Sequence, residues 1–219
     1  MAPRFDLSLY LVTDPAMTAR RGLVETVAAA VDGGVTLVQL RDKEAPTRDL
    51  VEAGRALKAL LAPRGIPLIV NDRVDVARAI GADGVHVGQG DLAPAVVRAM
   101  LGARSIIGLS ITREEELGTF APTAADYVGL GPIFPTGTKP DAAPALGEAA
   151  FAALRRRLPC PVVAIGGIAL ANAALAVAAG ADGIAVVSAI CATADPRGAA
   201  QALRAAVDAA LRARSASRG

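Results

Sequence analysis

The 219-residue chain has no tryptophan, and phenylalanine and tyrosine bring its aromatic content to only 3%. A core of ordinary density must then be built from Ala, Val, Leu and Ile, and the 53% hydrophobic content is enough to build one. So few rings exclude the extended stacking platforms of single-strand nucleic-acid binders. Histidine occurs once, as His86, and cysteine twice, as Cys160 and Cys191. That scarcity excludes a disulfide framework and a zinc cluster of usual spacing, and it fits a reducing compartment. Charge of one sign is only slightly in excess: 23 Lys and Arg meet 21 Asp and Glu, for a net charge of +2. With both signs scattered along the chain, no polybasic surface is expected for nucleic acid or anionic lipid. The one long charge-free stretch, 158–181, contains Pro159, Pro161, Gly166, Gly167 and Asn172 and is rich in weakly apolar Ala. It reads as a buried strand, a turn and a helix rather than a membrane span. The opening M-A-P-R-F-D-L lacks the apolar core of a signal peptide. A cytoplasmic protein without nucleic-acid or membrane partners is expected, its oligomeric state left open.

What is present is an alternation. Short β-branched or leucine-rich runs fall at 7–12, 36–40, 68–70, 85–87, 106–109, 127–130, 162–165 and 184–187. Ala-rich segments of helical length separate them, among them 23–31, 49–61, 94–101 and 171–179. Strand–helix units repeated in this way require parallel strands with crossover helices. Eight units without a linker predict an α/β fold of (β/α)8 TIM-barrel type, one domain over 1–212, followed by a frayed tail, 213–219. An internal echo agrees: A-I-G-A-D-G-V-H-V-G-Q (79–89) resembles A-A-G-A-D-G-I-A-V-V-S (178–188), with weaker copies at 30–40 and 122–131. Each copy enters an even-numbered strand, so Asp83, Asp126 and Asp182 read as structural turn residues at the barrel bottom.

Function in such a barrel belongs at the C-terminal strand ends. Strand 2 ends Q-L-R-D-K, and period-two alternation sends Gln39, Arg41 and Lys43 to one side. Strands 3 and 4 end with Asp72 and Asp91 on adjacent parts of one rim. Each could cap the helix that follows, but two hard carboxylates side by side suit Mg²⁺ shared with a substrate phosphate. His86, between Val85 and Val87, reads as a hydrogen-bonded interior residue rather than a catalytic one. Strand 5 presents Ser110. The loop G-P-I-F-P-T-G-T-K-P (131–140) carries Thr136, Thr138 and Lys139, two hydroxyls and an ammonium able to surround a pyrophosphate. Strand 7 ends I-G-G-I and strand 8 V-V-S, the places where barrels recurrently hold phosphate on backbone N–H groups. On this basis Gly167→Val should weaken that phosphate site more than the cationic one.

Taken in order, L-Y-L-V-T-D (9–14), Q-L-R-D-K (39–43), N-D (71–72), G-V-H-V-G-Q-G-D-L (84–92), G-L-S (108–110), P-T-G-T-K (135–139) and I-G-G-I (165–168) resemble the thiamine-phosphate synthase family. The resemblance implies a transferase joining 4-amino-2-methyl-5-pyrimidinylmethyl pyrophosphate to thiazole phosphate, with Mg²⁺ as cofactor. It implies that Gln39, Arg41, Lys43, Asn71, Ser110, Thr136, Thr138 and Lys139 hold the pyrimidine pyrophosphate, with Arg41, Lys43, Ser110 and Lys139 acting in catalysis. It further implies Asp72 and Asp91 on the metal, and Gly167, Val187 and Ser188 on the thiazole phosphate. One departure is Leu146-Gly147, where the family usually has Gly-Leu at the start of the sixth helix. Rival readings are a thiazole tautomerase-like isomerase, a sugar-phosphate barrel enzyme, and a non-catalytic thiazole-phosphate binder. The retained cationic and acidic set argues against the first, and the absence of an interior strand lysine against a Schiff-base version of the second.

Overall fold

A computed structural model describes residues 5–137 and 143–217. Eight strands close a parallel barrel in sequence order: β1 (Leu9–Val12), β2 (Leu37–Leu40), β3 (Leu68–Asn71), β4 (Gly84–Val87), β5 (Ile106–Ile111), β6 (Tyr127–Leu130), β7 (Val162–Ile165) and β8 (Gly183–Val186). Around them lie α1 (Pro15–Thr18), α2 (Leu23–Asp32), α3 (Thr47–Leu61), α4 (Val74–Ile80), α5 (Pro94–Leu101), α6 (Gly147–Arg155), α7 (Ala173–Ala178), α8 (Ser188–Cys191) and α9 (Pro196–Ala216). The predicted barrel is therefore present, and each predicted strand lies within a residue or two of an observed one.

Apart from inward polar residues near the mouth, the strands are apolar because both their faces are buried. In β1, Leu9 and Leu11 join the shell of residues packed under the helices, whereas Tyr10 and Val12 point to the barrel axis. The axis is filled near its bottom by Leu7, Leu37, Ile69, Ile106 and Tyr127. Each fully buried aliphatic side chain contributes roughly 1.5–3 kcal/mol, so these two layers dominate the favourable side of folding.

The repeated aspartates turn out to be staples. Asp83 Oδ2 accepts the Leu68 N–H at 2.8 Å and Lys58 Nζ at 2.6 Å. Asp126 Oδ2 accepts the Ile107 N–H at 2.8 Å and Arg98 Nη2 at 2.7 Å. Asp182 Oδ2 accepts the Val162 N–H and Arg155 Nη2, both at 2.9 Å. Each carboxylate thus ties the foot of an even strand to the foot of the preceding odd strand and to a cation on the helix that leads into that odd strand. The structural reading of the three aspartates is the correct one.

Two expectations need correction. The crossover from β5 to β6 contains no α-helix but a 3₁₀ turn, Glu114–Thr119, where Thr112 N donates to Glu116 Oε2 at 2.7 Å. The segment expected to fray is helical as far as Ala216. Arg214 anchors it, donating to Ala181 O at 2.6 Å and Val177 O at 3.1 Å and meeting Asp182 Oδ1 at 3.2 Å. A basic residue read as tail therefore serves as a fastening to α7 and to the third aspartate staple.

Candidate active site

At the C-terminal end of the barrel, a cavity of about 240 Å³ is lined by Gln39, Arg41, Lys43, Asn71, Asp72, Asp91, Ser110, Thr136, Gly167, Val187 and Ser188. These are all the expected site residues except Thr138 and Lys139, which lie outside the described residues. The parallel register brings them together. Asn71 pairs with His86, Ser110 with Gly129, and Val12 with Gln39, so inward positions on neighbouring strands share one level. A wider depression of about 1080 Å³ opens at the other end, lined by Phe5, Leu7, Pro67 and Cys160. Its charged groups are already paired, Arg155 with Asp182 at 2.9 Å and Asp6 with Arg204 at 3.7 Å, so the convergent polar chemistry belongs to the mouth.

The acidic pair is built by unusual backbone. Asp72 adopts φ of 60°, the only positive φ of a non-glycine residue among those described. Its N–H donates to His86 O at 2.9 Å, which carries the β3–β4 ladder one residue past the strand. Left-handed backbone costs a non-glycine residue on the order of 1–2 kcal/mol, though Asp tolerates it better than most. Neither aspartate caps a following helix: α4 is preceded by Arg73 and α5 by Ala93, both without a side-chain cap. Asp91 Oδ2 instead turns back to accept the Gly88 N–H at 2.7 Å. Burial and the neighbouring Asp91 carboxylate push the Asp72 carboxyl up to about 6, against the pull of Lys43, whose Nζ lies 3.6 Å from Asp72 Oδ2. Two carboxylates held together in this way suit a shared cation. Among the described residues no third His, Cys, Asp or Glu joins them. That donor set fits Mg²⁺, which keeps waters and takes substrate phosphate as ligands, better than a cation needing an all-protein cage.

Across the mouth, Gly166 and Gly167 have φ of 94° and 65°. A Cβ on Gly166 would lie 2.3 Å from Pro132 Cβ, and one on Gly167 2.4 Å from Pro135 O. This turn therefore packs bare backbone against the start of the loop that follows β6. Beside it, Val187 and Ser188 lead into the four-residue α8. A short extra helix after strand 8 is the usual companion of a barrel phosphate site.

Sequence reasoning missed Tyr10 and Tyr127. Both are buried, and they lie under the polar floor of the cavity: Gln39 Nε2 donates to Tyr10 Oη at 2.7 Å, and the two phenol oxygens are 2.9 Å apart. The available signal was their inward parity in L-Y-L-V and Y-V-G-L. His86 is the hydrogen-bonded interior residue expected, with Nδ1 3.0 Å from Tyr127 Oη and Nε2 2.8 Å from Ser110 Oγ. Asp14 also borders the cavity, but its Oδ1 caps α1 by accepting the Met17 N–H at 3.0 Å.

Closed parallel barrel and polar C-terminal mouth together define a (β/α)8-barrel enzyme. Its residues 9–190 match the thiamine monophosphate synthase family, and the chain belongs to that family. It is 58% identical over 210 residues to thiamine-phosphate synthase of Xanthobacter autotrophicus, spanning 96% of this chain and 100% of that one. With thiamine-phosphate synthase of Azorhizobium caulinodans it shares 57% identity, over 95% and 98% of the two chains. Among solved structures, thiamine phosphate pyrophosphorylase from Pyrococcus furiosus superposes with a TM-score of 0.86 at 38% identity, over 95% of this chain and 98% of that one. No helix of the described residues is long and apolar enough to cross a membrane.

Proposed function

We propose that this chain joins 4-amino-2-methyl-5-pyrimidinylmethyl pyrophosphate to thiazole phosphate, releasing pyrophosphate and forming thiamine phosphate. The observation that carries the reading is the convergence, in one cavity, of Arg41, Lys43, Asp72, Asp91, Ser110 and Thr136 on one side and the Gly166–Gly167 turn with Val187 and Ser188 on the other. Two anionic groups on two substrates need two such sites facing each other. A tautomerase acting on one phosphate would use only the second.

Asp72 and Asp91 would hold Mg²⁺, which would neutralise the pyrophosphate and ease its departure. Arg41 and Lys43, joined by Lys139, stabilise the charge that collects on the leaving group. Gln39, Asn71, Ser110, Thr136 and Thr138 hold the pyrimidine pyrophosphate in place. The electron-rich aminopyrimidine carries the positive charge left on the methylene carbon as the C–O bond breaks. The thiazole nitrogen, aligned by the phosphate held at Gly167, Val187 and Ser188, then attacks with its own lone pair. No protein nucleophile is required, so the chain contributes alignment, electrostatics and exclusion of water.

Purified protein mixed with Mg²⁺ and both substrates should yield thiamine phosphate and one equivalent of pyrophosphate. Absence of product with folded protein, with isomerised thiazole phosphate instead, would replace this reading by the tautomerase one.

A further inference from the structure

We propose that the buried chain Gln39–Tyr10–Tyr127–His86–Ser110 is a one-way hydrogen-bond relay that makes His86 a positioning residue and fixes Ser110 as a hydrogen-bond donor to the ligand. The inference rests on the mouth being the substrate site, and it adds a rule about which ligand atoms Ser110 accepts.

Five side chains from β1, β2, β4, β5 and β6 meet end to end. Gln39 Nε2 donates to Tyr10 Oη at 2.7 Å, Tyr10 Oη and Tyr127 Oη are 2.9 Å apart, Tyr127 Oη and His86 Nδ1 3.0 Å, and His86 Nε2 and Ser110 Oγ 2.8 Å. Both ends, Gln39 and Ser110, line the cavity; Tyr10 and His86 border it from below, Tyr127 lies in the barrel axis away from it, and both tyrosines are buried. Room for the middle of the chain exists only because two inward positions are glycine. A Cβ on Gly108 would lie 2.3 Å from His86 Nδ1 and 2.4 Å from Tyr127 Oη, and one on Gly129 3.1 Å from His86 Cε1.

Counting protons gives the direction. Gln39 supplies an N–H to Tyr10 Oη. Among the described residues, Tyr127 is the partner left for the Tyr10 proton, so Tyr10 donates to Tyr127. Having accepted that proton, Tyr127 donates its own to His86 Nδ1. A neutral imidazole with Nδ1 as acceptor carries its proton on Nε2, and that N–H donates to Ser110 Oγ. The Ser110 proton is then turned into the cavity. In the opposite direction Tyr10 Oη would receive two donors and its buried O–H would have no acceptor, a loss that biases the equilibrium on the order of 10- to 100-fold toward the first arrangement. His86 is buried, and burial favours the neutral ring. Ser110 therefore welcomes an acceptor atom, such as a pyrophosphate oxygen or an unprotonated ring nitrogen, and disfavours a donor.

His86 is the sole histidine, so a long-range ¹H–¹⁵N correlation spectrum of the uniformly labelled, substrate-free protein reports its tautomer without assignment. The expected result at neutral pH is protonated Nε2 and bare Nδ1. A bare Nε2, or a doubly protonated ring, would overturn the relay. Gln39→Glu replaces the donor by an acceptor three hydrogen bonds away from the imidazole. Tyr10 must then donate to Glu, Tyr127 to Tyr10 and His86 Nδ1–H to Tyr127, so the tautomer should invert. An unchanged tautomer in a variant that melts cooperatively would show that Gln39 does not set the direction. If that variant does not fold, the parent spectrum alone still decides the proposal. Because no substrate is present, the outcome is independent of whether the chain makes thiamine phosphate.

Discussion

Gly167→Ala puts one methyl group where the structure has least room for it. The residue has φ of 65°, and its added Cβ would sit 2.4 Å from Pro135 O and 2.8 Å from Phe134 O. Real contacts of this kind are near 3.4 Å, so something must move by about 1 Å. The left-handed conformation costs a residue with a side chain on the order of 1–2 kcal/mol. Overpacking against backbone costs typically 1–3 kcal/mol more. The sum, about 2–5 kcal/mol, corresponds to a melting point lower by roughly 5–15 °C in a chain of this size. Part of that strain can be relieved by displacing 134–135, which lead directly to Thr136. A misplacement of about 1 Å can cost on the order of 10²-fold in rate. The methyl group thus acts toward the pyrimidine-pyrophosphate side of the mouth as well as on the thiazole phosphate. Selective weakening of the thiazole-phosphate site, the expectation from sequence for Gly167→Val, changes accordingly: the KM of both substrates should rise. Thermal melts and initial rates with each substrate varied in turn test this. An unaltered melting point with only the thiazole-phosphate KM raised would refute the reasoning from steric contact.

Two further outcomes follow from the electrostatics of the proposed reaction. The Asp72 carboxyl is raised from 3.8 to about 6, so the folded protein binds more protons than the unfolded chain between those values; metal-free protein should lose stability as pH rises from about 4 to 6. Mg²⁺ should restore that stability above pH 6, and the Mg²⁺ concentration for half-maximal activity should climb as pH falls below 6, an effect lost in Asp72→Asn; a flat profile in the parent would remove Asp72 from the metal. Lys139→Ala should lower kcat by on the order of 10²–10³ with a modest rise in KM, because negative charge grows on the departing pyrophosphate; an unchanged kcat with a parental melting point would return Lys139 to a solvent role.

The barrel was legible because its signal is repetitive. Strands buried on both faces read as apolar runs, and G-A-D-G entries recur before β4 and β8. The aspartates were correctly read as structural, but their partners were not legible: Lys58, Arg98 and Arg155 lie 25, 28 and 27 residues away in sequence. The missing helix between β5 and β6 was hidden because E-E-E-L-G-T has acceptable helix formers, and only the local Thr112–Glu116 bonding stops at a 3₁₀ turn. At the C-terminus, R-A-R-S-A-S-R-G reads as a tail by composition, and the contacts that hold Arg214 come from the closing of the ring. The rim residues were legible one strand at a time, since each follows a recognisable strand end. The tyrosine–histidine chain was not. Its links span 29, 117, 41 and 24 residues, and they exist only once closure and register are known.

Within the barrel, core and site are one column of side chains rather than two regions. Inward positions run from Ile69 to Asn71 on β3 and from Ile106 past Gly108 to Ser110 on β5, changing from apolar to polar toward the mouth. Gly108 and Gly129 stand at the changeover and give up volume so that Tyr127 and His86 can meet. A close-packed interior transmits small displacements instead of absorbing them. A methyl added at Gly108 would point inward at His86 and Tyr127 and would therefore act far more on the orientation of Ser110 than on the closure of the barrel, which the backbone ladder and the aspartate staples carry. The lower layers hold the barrel shut, the glycines set the spacing of the middle layer, and that spacing determines what the mouth offers its ligands.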